Sequence, residues 1–389
     1  DRNTRKKPAS SRATNAFRAS FAASAATFAA ALCLASPLSA EAPANAPIVL
    51  ETQGSFTVGG GTLTHEGTFS REHFLEPQGQ VAYGDHAYVF YQVPVKANAY
   101  PIVFQHGGAQ TKRTWESTPD GRDGFQNIFL RKGYAVYLLD QPRMGEAGLA
   151  LKAAGPENPY AKNPLYADKT LYELCRIGVW PNRFDGVAFP EGEAAEEAFQ
   201  RAWTPYAGEL DDDVNAAALG KLFERIGPAI LFTHSMGGTI GWRTPALTEN
   251  VKAIVAFEPG GSPFVFPEGE VPVASRAVYA PVSATAIGVP LERFEKLTKL
   301  PILVLYGDNI ADKPSNEVGP DKWRSERDMA EKFVAAVNRH GGKAEIVRLP
   351  DVGIRGNTHF LMSDLNNREV AEFVQKWLEK QGLAGRKAE

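Results

Sequence analysis

Short apolar runs recur along the chain, each bounded by glycine, proline or polar residues: Pro101-Ile-Val-Phe104, Tyr134-Ala-Val-Tyr-Leu-Leu139, Ala229-Ile-Leu-Phe232, Val251-Lys-Ala-Ile-Val-Ala-Phe257, Pro301-Ile-Leu-Val-Leu-Tyr306 and Ala344–Leu349. Runs of this length with little alternation read as strands buried on both faces. Between them, the pattern predicts helices over about 124–132, 210–225, 322–340 and 367–379, with Gly133 stopping the first. Strands alternating with helices call for an α/β fold, a mostly parallel central sheet with helices on both faces. Ahead of this rhythm, Ile48 to Tyr91 carries alternation and the turn Gly59-Gly-Gly61, the pattern of an antiparallel lead-in.

Two stretches break the rhythm. Residues 146–205 are rich in Pro, Ala, Tyr and Trp, with helical periodicity only near Glu193–Trp203, and 262–290 carry Pro and Val without a clear helix. Both read as cap insertions in one catalytic domain spanning 48–381, the second lining the pocket entrance. At 389 residues and 43% hydrophobic, the chain buries a large core.

The first 40 residues do not belong to that core. Arg2, Arg5, Lys6, Lys7, Arg12 and Arg18 precede an Ala-rich apolar run, Phe21–Leu34, and then Pro37-Leu-Ser-Ala40. Basic, apolar and small-residue regions in this order read as a secretory signal peptide, cleaved after Ala40 with Ala46 as the alternative, which predicts a periplasmic or secreted protein. Its removal leaves 36 of the 42 basic and 44 of the 45 acidic residues, a formal charge of −8, and a single cysteine, Cys175. No internal disulfide is then expected. No basic patch points to nucleic acid, and no second apolar run reaches the roughly 20 residues of a membrane span.

The stretch Pro228–Ile240 carries the chemistry. A buried strand runs into Thr233-His-Ser235-Met-Gly237, and a helix follows. A serine on a sharp strand-to-helix turn is the nucleophile elbow of α/β-hydrolases, G-x-S-x-G, here with Thr233 for the first glycine. A serine hydroxyl needs a base, and the base a carboxylate. The base expected from the loop after the last strand is His359. His340 lies at a helix C-terminus, His65, His73 and His86 lie in the N-terminal hairpins, and His234 is expected to point away from Ser235. The acid has two places: Asp308 or Asp312 after the strand ending at Tyr306, or Glu258 at the tip of the strand that follows the nucleophile strand. Spacing leaves both open. The oxyanion hole is assigned to the N–H groups of Met236 and Gly108, the latter in the loop His106-Gly107-Gly108. Asp211-Asp-Asp213 reads as the acidic first turn of a helix rather than a metal site.

His106-Gly followed after six residues by Thr114-Trp115, Thr118-Pro-Asp-Gly121, Phe129-Leu-Arg-Lys-Gly-Tyr134 and Asp140-Gln resemble a small group of bacterial secreted esterases within the α/β-hydrolase superfamily. The resemblance covers about 48–145 and 228–262, and the rest by order of elements. It implies a Ser-Glu-His triad falling on Ser235, Glu258 and His359. The best-known member of that group carries two disulfide-bonded adjacent cysteines in its oxyanion loop, where this chain has Gly108 and Ala109, so the hole is expected to be indifferent to redox state. The function expected is a serine esterase acting on a small-molecule ester. A lactonase or amidase on the same triad, or a non-catalytic binding protein on the same fold, are the alternatives. No cofactor and no metal are expected, and a homodimer is compatible with the chain.

Overall fold

The computed structural model describes residues 46–152 and 167–386. The expected signal peptide and the middle of the first insertion lie outside them. The described chain opens with a long antiparallel hairpin of β1 (Leu50–Thr64) and β2 (Val81–Pro94). Next come β3 (Ile102–Gln105), α1 (Arg113–Glu116), α2 (Phe125–Arg131) and β4 (Val136–Asp140). The first insertion contributes α3 (Asp168–Leu174), a small hairpin of β5 (Gly178–Val179) and β6 (Asn182–Arg183), and α4 (Glu193–Gln200). Then α5 (Asp212–Ile226), β7 (Ala229–His234), α6 (Gly237–Arg243) and β8 (Val251–Phe257) return to the sheet. The second insertion pairs β9 (Phe264–Pro267) with β10 (Ala286–Val289) in parallel. The chain ends with α7 (Leu291–Glu295), β11 (Pro301–Tyr306), α8 (Val318–Arg339), β12 (Lys343–Arg348) and α9 (Asn367–Lys380).

Among the described residues, the central sheet has eight strands in the order β1-β2-β4-β3-β7-β8-β11-β12. All neighbours are parallel except β1–β2 and β2–β4. The unbroken apolar runs exist because each central strand feeds two cores. Val103, Leu231, Ile254 and Val304 face one cluster, packed under α5, α6 and α8. Their sequence neighbours Phe104, Phe232, Val255 and Leu305 face the other, under α2 and α9. A side-chain period of two residues puts successive apolar positions on opposite faces, and helices cover both. Phe104, Trp115, Phe232 and Phe257 meet there with ring centroids 5.1–6.0 Å apart, beneath the carboxyl ends of the strands.

The expected elements shift at their edges. α8 begins at Val318 rather than near Lys322, because Pro320 falls in its first turn, where no intrahelical N–H is needed. Asp211 caps α5, its carboxylate accepting from Asp213 N and Val214 N at 3.1 Å each. The two insertions hold more regular structure than their composition suggests, in pieces of two to eight residues too short for a periodic signal. Among the described residues, no helix is long and apolar enough to cross a membrane.

Candidate active site

β7 delivers Ser235 to the carboxyl end of the sheet, and the chain reverses there into α6. Ser235 has φ of 54°, a left-handed conformation that costs a non-glycine residue about 1–2 kcal/mol. The turn is held by Ser235 N donating to Phe257 O at 3.0 Å and Gly238 N donating to Ser235 O at 3.0 Å. Thr233 is accommodated in place of the motif's first glycine because the helix carries the glycine instead. A Cβ on Gly241 would stand 2.8 Å from Thr233 Cγ2, so strand and helix keep their close approach.

The His106-Gly-Gly loop after β3 lies directly against this elbow. A Cβ on Gly108 would fall 2.2 Å from Met236 Sδ, so the loop backbone and the Met236 side chain are in close contact there. His106 is buried and anchors the loop, donating from Nδ1 to Gly107 O (2.8 Å) and accepting at Nε2 from Gln141 N (3.2 Å). Among the described residues, no acceptor is hydrogen-bonded to the N–H of Gly108 or of Met236. Two free backbone donors thus flank Ser235.

His359 sits in the loop after β12, 4% exposed. Its Nδ1 is 3.2 Å from Glu258 Oε2. Glu258 ends β8 with φ of 49°, a second left-handed non-glycine residue that turns its side chain along the strand tips toward the imidazole. The two aspartates considered as alternatives stand elsewhere. Asp308 accepts from Gly356 N and Asn309 N, both at 2.8 Å, and so braces the histidine loop from behind. Asp312 is an exposed surface residue paired with Arg327 and Arg348.

Several neighbours of this constellation carried no recognisable signal in the sequence. Arg176, fully buried, grips Glu258 with both ends of its guanidinium, Nη1 to Oε2 at 2.8 Å and Nη2 to Oε1 at 2.6 Å. Gly307 N donates to the same carboxylate at 2.5 Å. Trp323 at the start of α8 stacks on the His359 ring, centroids 3.9 Å apart. The His234 ring lies 4.5 Å from His359, and its Nε2 donates to His359 O at 2.8 Å. The side chain expected to point away from Ser235 therefore holds the backbone of His359. Burial, reinforced by the positive charges of Arg176 and Lys322, holds His359 well below the usual imidazole range. Burial likewise keeps His234 well below it.

Ser235 and His359 open onto one cleft of about 340 Å³. The first insertion walls it with Leu171, Leu174 and Trp203, and the second with Val282, Ser283 and Thr285. The cleft is apolar on the first side and carries Lys322, Glu326 and hydroxyl groups on the other.

A mostly parallel sheet of this order with helices on both faces finds its match among known proteins: residues 102–386 fit the Alpha/beta hydrolase family. The chain belongs to that family. This α/β-hydrolase is 29% identical over 312 residues to the probable secreted lipase phiG of Fungal sp. (strain ATCC 74256), an alignment covering 72% of this chain and 82% of that protein. It is also similar to the solved structure of a novel bacterial esterase, with a TM-score of 0.68 and 29% identity over 86% of this chain and 97% of that one. With such relatives, this α/β-hydrolase is a hydrolase of the esterase and lipase type.

Proposed function

We propose that the chain is a serine esterase that hydrolyses carboxylic esters through an acyl-enzyme on Ser235, with His359 as base and Glu258 as acid. The observation that carries this reading is the Glu258 carboxylate at 3.2 Å from His359 Nδ1, on a histidine that shares its cleft with the elbow serine. His359 is held uncharged at neutral pH by burial, which is the form a general base requires. It takes the proton of Ser235 as the hydroxyl attacks the ester carbonyl, and Glu258 stabilises the imidazolium so formed. The negative charge on the carbonyl oxygen is received by the N–H groups of Gly108 and Met236. Collapse of the intermediate expels the alcohol with the proton from His359, and water then repeats the sequence on the acyl-enzyme. A cleft of about 340 Å³ suits a compact acyl group. The secretory pattern of residues 1–40 and the secreted relative support export.

The test is a panel of p-nitrophenyl esters of rising acyl length, with lactones and anilides alongside, run on the wild type and on Ser235→Ala. Turnover of esters that is lost by several orders of magnitude in the alanine variant, together with fluorophosphonate labelling of Ser235, is the expected result. Ester turnover unchanged by Ser235→Ala ends the reading. Preference for lactones or anilides moves the substrate class while leaving the triad in place.

A further inference from the structure

The inserted segment after β4 does more than wall the cleft. Directly after α3, Cys175 O accepts a hydrogen bond from His359 N at 2.9 Å, and the next residue, Arg176, forks onto Glu258. Arg176 Nε donates in addition to Asp308 O at 2.8 Å, so every face of the guanidinium edge is committed. Its backbone is left-handed, φ of 60°, which turns the side chain inward at the end of the helix. Two consecutive residues of the insertion therefore hold the acid and the base.

Two ion pairs stand beside the ring, and two further carboxyls are bonded to neutral donors of its loop. Glu258 at the end of β8 faces Arg176, and Lys322 on α8 faces Glu326 at 2.9 Å. His234 at the end of β7 is held uncharged by burial. Asp364 is bonded to Thr358 and Asn357 on the far side of the loop, and Asp308 to Gly356. With His359 uncharged, the Arg176–Glu258–His359 group is neutral. With His359 protonated, it carries a positive charge on side chains that are almost wholly buried. A buried site favours its neutral state.

We propose that Arg176 is a positioning residue of the triad: supplied by the insertion, it fixes the Glu258 carboxylate and cancels its charge, so that the neutral arrangement is the one in which His359 is free to accept a proton. This rests on the triad proposed above. Without the arginine the count inverts. Glu258 and an uncharged His359 then carry a net negative charge, and the pair regains neutrality only by binding a proton, which is the inactive form.

The experiment is the pH profile of kcat/KM for the full chain, which reports ionisations of the free enzyme. The acid limb of the wild type is expected below the ordinary imidazole value of about 6.5. In Arg176→Gln the limb is expected to move up by about one pH unit or more. In Arg176→Lys, which keeps the charge and loses the fork, the limb is expected within about half a unit of the wild type while kcat falls. A merely structural arginine lowers kcat in both variants and leaves the limb in place, and that result overturns the proposal. Should Arg176→Gln fail to fold, a wild-type limb at or above about 7, or an Arg176→Lys limb displaced as far as one unit, overturns it equally. Ser235→Ala and fluorophosphonate labelling test the triad itself, so a failure there is recognised separately.

Discussion

The imidazole of His359 lies against the indole of Trp323, centroids 3.9 Å apart and planes inclined by 26°, while the His234 ring approaches it at 4.5 Å. Lys322 Nζ also contacts the Trp323 ring, 4.2 Å from its centroid. The His359 ring is thus clamped by flat surfaces as well as by hydrogen bonds, and its orientation depends on the indole of Trp323 in α8. Trp323→Leu is expected to lower kcat by about 10- to 100-fold, since small misplacement of a reacting group costs that much. Trp323→Phe, which keeps a ring, is expected to recover most of the loss. Equal rates for the two variants and the wild type would show that the stack does not position the base.

Glu258 serves two partners, and its replacement is expected to register twice. Glu258→Gln removes the carboxylate from His359 and should lower kcat by about 10³–10⁴-fold with KM little changed. It also strands a buried Arg176, for which the loss of one partner costs about 3–5 kcal/mol and a visible drop in Tm. Asp312→Asn, at an exposed residue, is expected to stay within a few-fold of the wild type in rate. A larger loss at Asp312 than at Glu258 would reverse the assignment of the acid.

The sheet was readable from the chain because its central strands are buried on both faces, which leaves runs such as Pro301–Tyr306 with no polar residue to blur their ends. Ser235 and His359 were readable because the fold fixes their places in chain order. Glu258 was not separable from Asp308 and Asp312 by spacing, and only the resemblance to known esterases favoured it. Arg176 and Trp323 were invisible for a different reason. Arg176 meets its partner across 82 residues of sequence, and what it does depends on where an insertion folds back. Trp323 reads as an ordinary apolar position of a long amphipathic helix. Interactions of this kind belong to tertiary packing and leave no local period.

Cys175 is buried in the wall of the cleft, its thiol pushed far up by burial, and no cysteine stands beside Gly108 in the loop after β3. A thiol that rarely ionises is a poor nucleophile. Activity is therefore expected to be unchanged in dithiothreitol, and the native protein is expected to resist iodoacetamide while the urea-unfolded one is labelled. Rapid labelling of the native protein at Cys175 would show that the insertion opens readily.

Asp364 sits fully buried behind the base, its carboxyl accepting from Thr358 N and Thr358 Oγ at 2.8 Å, and burial pushes its pKa up to about 7. A folded-state pKa above the unfolded value of about 3.9 contributes stability at low pH that is lost as pH rises through about 7. The wild type is thus expected to lose stability between about pH 4 and 7 through this residue. Asp364→Asn, which does not titrate, is expected to lower Tm at pH 5 and to narrow its deficit at pH 7.5. Melting curves at the two pH values check this, and a deficit that widens with pH would mean the carboxylate form is the favoured one.

The loop proposed to receive the carbonyl oxygen packs tightly against Met236. A Cβ on Gly108 would lie 2.2 Å from Sδ of the flexible Met236 side chain. Gly108→Ala must push either the loop or Met236 aside, and those two residues carry the free N–H groups proposed as the oxyanion hole. Because the charge on that oxygen develops only as the transition state forms, the loss is expected in kcat rather than in KM, by about 10²-fold. Met236 has a flexible side chain, so Met236→Ala in the Gly108→Ala background is expected to make space for the new methyl and restore part of the rate. A rescue of this kind separates steric displacement of the donors from general damage to the fold. If Gly108→Ala raises KM and leaves kcat alone, the loop contacts the substrate without holding its oxyanion.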